Sequence, residues 1–190
     1  MKKLTLAASL VLGFGLVANA NAVDGTVTFD GKIVDQTCTV ATAANKDQTV
    51  KLPTVQSSSL ATPNSKAGET PFTISLSGCK TKATSGISKV KAFFLPNATN
   101  VDENTHNLIN IEKNSPATHV QVQLLNKDLT EIKVGENITA QNVNGTDIDD
   151  TGKADGAVTA ELKYFARYYA TGTVTAGKVT SKVEYNIVYE

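Results

Sequence analysis

Cys38 and Cys79 are the chain's two cysteines. Neither sits in a C-x-x-C pair, and a chain with two histidines and no third cysteine lacks the usual remainder of a zinc or redox site. Gly172-Thr173-Val174-Thr175-Ala176-Gly177-Lys178 nearly spells a phosphate-binding loop. Val179 stands where Ser or Thr must hold magnesium, and the residues that follow alternate as a strand does, so the backbone cradle has no helix to open. Asp147, Asp149, Asp150 and Asp155 gather carboxylates without the spacing of a calcium loop. His106 and His119 have no partner that would make them ligands or bases, and no nucleophile elbow marks a Ser/His/Asp set. Tyr164, Phe165, Tyr168 and Tyr169 would form a sugar-stacking platform only if they shared a face, and a strand sends half of them inward. The expectation is no catalytic residue, no metal and no cofactor, and therefore not an enzyme. The 190 residues balance 18 Lys+Arg against 18 Asp+Glu with no basic cluster, which argues against nucleic acid as a partner.

What positions these residues begins after the first 22. Lys2 and Lys3 precede an apolar stretch, Leu4 to Val17, and then the overlapping frames Ala18-Asn19-Ala20 and Ala20-Asn21-Ala22. That is the pattern of a bacterial secretory signal peptide, too short to span a bilayer. Cleavage after Ala22 is expected, with cleavage after Ala20 as the alternative. Mature chain then starts at Val23 and carries a net charge of −2. In an oxidising compartment a lone cysteine pair is most simply a structural disulfide. Closing a loop of roughly 40 residues stabilises by about 4 kcal/mol on the chain-entropy account.

Period-two alternation recurs along the mature chain. Val23, Gly25, Val27 and Phe29 alternate with Asp24, Thr26, Thr28 and Asp30. Strands are expected over 32–40, 48–55, 71–76, 89–95, 108–111, 120–125, 131–134, 138–143, 157–170 and 178–189, with turn-rich pieces at 61–70, 96–107 and 142–156. About ten short strands without a helical stripe predict an all-β, antiparallel sandwich. Both ends of the mature chain are one-faced strands. At the start, Gly25 interrupts an apolar face, where a backbone must come close. At the end, Val183, Tyr185, Ile187 and Tyr189 face one way.

In this order and with this cysteine spacing, the segments Gly25–Val34, Cys38, Ser77-Gly78-Cys79, Phe165–Gly172 and Val183–Tyr189 resemble the chaperone–usher fimbrial subunits of the type 1-like major pilin family. In that family a Gly lies fourteenth from the end and a Tyr is penultimate; Gly177 and Tyr189 occupy those places. The resemblance implies an incomplete immunoglobulin-like sandwich, completed by a donor strand from a neighbouring subunit. It implies residues 23–31 as the donor-strand extension and 32–190 as the immunoglobulin-like domain. Val23, Val27 and Phe29 would insert into a neighbour's groove, with Gly25 crossing its shallow part. Gly177, Val183, Tyr185, Ile187 and Tyr189 would form the strand that pairs with chaperone or donor. Cys38–Cys79 would tie the first strand to the second.

The partners so implied are identical or related pilin subunits, a periplasmic chaperone, an outer-membrane usher, and tip adhesin or adaptor subunits. The expected function is a structural subunit of a bacterial surface fimbria that supports cell adhesion, exported through the periplasm. A minor adaptor subunit or a tip adhesin is the alternative. The mode is β-strand addition, for which chaperone–pilin strand donation is itself a standard example.

Overall fold

The computed structural model describes residues 27–35, 38–42, 47–97 and 99–190. The expected signal peptide and the candidate donor residues Val23 and Gly25 lie outside the described residues. Two compact units divide between Ile33 and Val34. In the first, residues 27–33 carry no helix or strand, and every one of them is exposed.

The second unit holds two antiparallel sheets. Five strands form one, in the order β1 (Thr39–Val40), β2 (Lys66–Cys79), β7 (Val158–Ala170), β5 (Val120–Asn126), β4 (Leu108–Ile109). Three form the other, in the order β6 (Thr146–Asp147), β3 (Lys89–Phe94), β8 (Tyr185–Tyr189). Alternation explains which face each strand buries. In β7, Val158, Ala160, Leu162, Tyr164 and Ala166 point inward while Thr159, Glu161 and Lys163 meet solvent. Against them come Val90, Ala92 and Phe94 of β3, and Ile74 and Leu76 of β2 join the same core. Phe94 meets Tyr164 edge-on with ring centroids 5.4 Å apart, a favoured aromatic geometry. This is the antiparallel sandwich that the alternation predicts. Cys38 and Cys79 are joined, closing a separation of 41 residues at the β1–β2 edge.

The outer edge of β3, away from β8, is closed largely by side chains. Thr146 and Asp147 pair with Val90 and Lys89. Beyond them, the Ala92 N–H donates to the Tyr164 hydroxyl at 3.1 Å. Gln141 then takes the place of a strand. Its Oε1 accepts from Phe94 N at 2.9 Å, and its Nε2 donates to Phe94 O at 2.7 Å. Gln141 is fully buried, and a buried amide is tolerable because its polar atoms are paired.

Several expected elements differ. Residues 66–70, expected in a turn, belong to β2. Gly68 adopts φ +75° there and the register shifts between Ala67 and Thr70, so the glycine marks a bulge and not a turn. Residues 138–143 are not a strand. Asn137 Oδ1 accepts from the N–H groups of Thr139 and Ala140, a local turn that competes with a ladder. Of 131–134, only Glu131 makes a bridge, to Leu125. Thr81 caps a short helix α1 (Lys82–Ser85), ended by Gly86 at φ 67°, inside what reads as loop.

Candidate functional site

Among the described strands, β8 has a neighbour on one side only. Glu190 and Lys89 exchange both backbone bonds, at 2.9 and 3.0 Å, and Leu95 N donates to Glu184 O at 2.8 Å. Antiparallel pairing alternates, so the even-numbered residues from 184 to 190 turn their polar groups towards β3. Just upstream the same parity continues. Lys178 bonds to Ser115 and Ala117, and Thr180 to Ile111 and the Asn110 side chain. The odd-numbered residues therefore aim N–H and C=O at the other edge. Among the described residues, the backbones of Val179, Ser181, Val183, Tyr185, Ile187 and Tyr189 find no partner there.

The facing wall is residues 48–55, expected as a strand. This segment is extended and alternates, with Val50, Leu52 and Val55 half-buried, yet it makes no backbone hydrogen bond to another described segment. Asp47, at one end, influences Tyr185. Val55, at the other, lines a cleft with Val179. Among the described residues, no backbone hydrogen bond joins the two segments that flank the trough. At the Val179 end the trough deepens into a cleft of about 510 Å³, with Leu60, Val120, Tyr168 and Val174 in its lining.

The side chains over this trough are apolar. Val179, Val183, Tyr185, Ile187 and Tyr189 all pack on the main core, yet each remains half-buried. Burial, with the Asp47 carboxylate adding to it, holds the Tyr185 hydroxyl above its ordinary 10. Tyr189 reaches across to β1, its hydroxyl accepting from Cys38 N at 3.3 Å. A row of unpaired strand groups above a partly covered apolar floor is a template for one more strand.

Of the residues expected in the groove strand, Val183, Tyr185, Ile187 and Tyr189 lie along this edge. Gly177 lines the cleft at the upstream end of this edge. A Cβ there would sit 2.3 Å from Ala117 N, so the glycine lets the 115–117 segment cross against the chain before the open edge begins. Sequence reasoning omitted Val179, although the 183–189 alternation extends back to it. It also omitted Leu52 and Val55 as the facing wall. Of the expected donor residues, Val27 is 77% and Phe29 92% exposed.

The other candidates resolve differently. Asp155 Oδ1 accepts from Thr81 N at 2.7 Å, and Asp150 Oδ2 from Lys82 N at 2.6 Å. These carboxylates serve the first turn of α1. Among the described residues, no group of three His, Cys, Asp or Glu is placed to hold a metal. His106 Nε2 lies 3.4 Å from Glu136, far from His119 in its contacts. Tyr164 is core, its hydroxyl pushed up to about 12 by burial. Tyr168 lines the cleft, and Tyr169 donates to Asn64 Oδ1 on the outer face. The four aromatic side chains form no shared platform.

Residues 52–190 match the FimA family, type-1 fimbrial protein A. The F17 fimbrial protein of Escherichia coli is 47% identical, over 95% of this chain and 97% of its own. The major fimbrial subunit SMF-1 of Stenotrophomonas maltophilia strain K279a is 43% identical, over 90% of this chain and 95% of its own. A subunit from the structure of a chaperone–usher pilus superposes with a TM-score of 0.57 at 17% identity, covering 88% of this chain and 96% of that one. At that identity the likeness speaks to the fold alone.

Proposed function

The chain belongs to the type-1 fimbrial protein family, and from that premise we propose that it is a structural shaft subunit that polymerises by strand donation at the open edge of β8. The relatives' names describe fimbrial proteins and major fimbrial subunits, which supports a place in the filament over a catalytic role. The observation that carries the mechanism is the run of six unpaired odd-numbered backbones from Val179 to Tyr189 over half-buried side chains. A strand laid there pairs each backbone and covers the floor at once.

The donor is the N-terminal segment of the next copy. Val23, Val27 and Phe29 enter the trough and Gly25 crosses where it is shallow. A periplasmic chaperone holds the trough first, since an uncovered edge of this kind aggregates. An outer-membrane usher is where donor replaces chaperone, and the product is a fimbria on the cell surface. Residues 1–22 are the export signal, removed before assembly. The contact persists for kinetic reasons, because withdrawing the donor exposes the core.

Removal of residues 23–30, which leaves the expected cleavage site intact, tests this reading. The expected product is a soluble, chaperone-bound subunit that accepts a strand but donates none, so electron microscopy shows no long filaments. Filaments of native length from that deletion overturn the reading.

A further inference from the structure

Asn144-Gly145 is the one Asn-Gly pair in the sequence. A glycine after asparagine carries no Cβ to shield its N–H, so that nitrogen can reach the asparagine's own side-chain carbonyl carbon. A fold prevents this attack by occupying the N–H. After Asn64 the next N–H donates to Thr62 O, and after Asn104 it donates to Asp102 Oδ1. Among the described residues, the Gly145 N–H donates to nothing. Asn144 is exposed, and residues 142–145 form neither helix nor strand.

The surroundings make the integrity of this pair matter. Asn144 Nδ2 donates to Asp128 Oδ2 at 3.2 Å, and Asn144 N donates to Asn126 Oδ1 at 2.8 Å. Asn126 is itself fully buried. The chain then passes directly into β6, where Thr146 and Asp147 pair with Val90 and Lys89. Ile148 N extends that contact by donating to Ser88 O at 2.9 Å. Only Gly145 separates the Asn126 anchor from the ladder.

We propose that Asn144 is a site of intramolecular deamidation, and that its conversion loosens β6 from β3. The Gly145 nitrogen gives up its proton and bonds to Asn144 Cγ, and the Cγ–Nδ2 bond breaks as ammonia leaves. Water then adds to one of the two carbonyls of the five-membered imide. Opening one way leaves aspartate. Opening the other way leaves isoaspartate, whose main chain runs through the side chain and is one atom longer. Nothing is oxidised or reduced, and water is the only co-reactant. Either product sets a carboxylate beside Asp128 where an N–H had donated, and like charges so close disfavour one another. Isoaspartate also puts the Asn126 anchor and the β6 ladder out of step. The reaction belongs to the single subunit and stands or falls independently of strand donation.

The test holds the exported, purified chain in mildly alkaline buffer. Peptide mass mapping follows the conversion, and amide hydrogen exchange follows β6. The expected result is a gain of one mass unit that appears first in the peptide holding Asn144, with isoaspartate among the products. Gly145→Ala slows that gain by roughly tenfold or more, because the added Cβ obstructs the approach of nitrogen to carbon. The Cβ would lie 2.9 Å from Glu190 Oε2, the free end of a side chain, so the fold accommodates it. Asn144→Asp reproduces the charge alone and speeds exchange at 146–148 severalfold, and adding Asp128→Asn restores it. A chain that keeps its mass overturns the proposal, as does conversion at Asn64 or Asn114 before Asn144. Native exchange at 146–148, in the converted chain or in Asn144→Asp, overturns it equally.

Discussion

Two strands of the same sandwich, β7 and β8, have similar alternating sequences and opposite fates. β7 is paired on both sides, with β2 and with β5, and the side chains it turns inward between Val158 and Ala166 are buried. β8 is paired with β3 alone, and the side chains it turns inward stop half-buried. Nothing in Val183-Glu184-Tyr185-Asn186-Ile187-Val188-Tyr189 is a poorer strand than Leu162-Lys163-Tyr164-Phe165-Ala166. The difference is one of neighbours. Burial of an inward side chain depends on how many flanking strands cover it, and β8 lacks one.

The largest expected effects test whether the completed half holds the subunit together by itself. Replacing both Cys38 and Cys79 with Ser should cost about 4 kcal/mol of unfolding free energy, read as a lower guanidinium midpoint under oxidising conditions. An unchanged midpoint would mean that the β1–β2 edge is held by its ladder. Leu162→Ala, at a fully buried position of β7, should cost about 2–5 kcal/mol whether or not a donor is present. Ile187→Ala, its counterpart on β8, should cost about 1 kcal/mol in the lone subunit and two to three times that once a peptide of residues 23–31 is bound. Equal losses in both states would erase the proposed distinction between the strands. Gly177→Ala should cost about 1–3 kcal/mol through overpacking against Ala117, without altering peptide affinity. A selective loss of affinity would show that the cleft lined by Gly177 takes part in peptide binding.

The smallest effect is a pH dependence from carboxyls beside β5. The N–H of Thr105 holds the Asp102 carboxyl below its ordinary 3.8, and a hydrogen bond from Lys66 holds Glu131 below 4.5. Both are lower in the folded chain than in the unfolded one. Their contribution is therefore complete above the ordinary values and lost as pH falls through the folded ones. Acid titration below about pH 4.5 should loosen amide protection around β5 first. Loosening that begins at β8 would contradict this.

Much of this could be read from the residues. Inward and outward positions of β3, β5 and β7 follow directly from alternation, since each strand has one dry face. The open edge was half legible: Val183 to Tyr189 announce a strand, but no sequence states that its partner is absent. Residues 48–55 make the same point, alternating as a strand while pairing with none. Where reading failed, one residue had outweighed the pattern. Gly68 turned an expected loop into a bulge, and Asn137 folded an expected strand into a turn. Gln141 could not be foreseen, because a lone glutamine carries no mark of standing in for a backbone.

That glutamine has a consequence for assembly. With Gln141 and Tyr164 satisfying β3 on its far side, the three-stranded sheet offers one vacancy instead of two. Among the described residues, the strands at the margins of the five-stranded sheet, β1 and β4, are each two residues long, and short edge strands recruit poorly. On the strand-donation reading, the described residues then give each copy one accepting edge and one donating segment, unlike each other. Such a head-to-tail contact, if it does not close on itself, propagates without limit, and a single accepting edge would keep it from forking. A single buried amide thus helps ensure that growth yields a thread and not a clump.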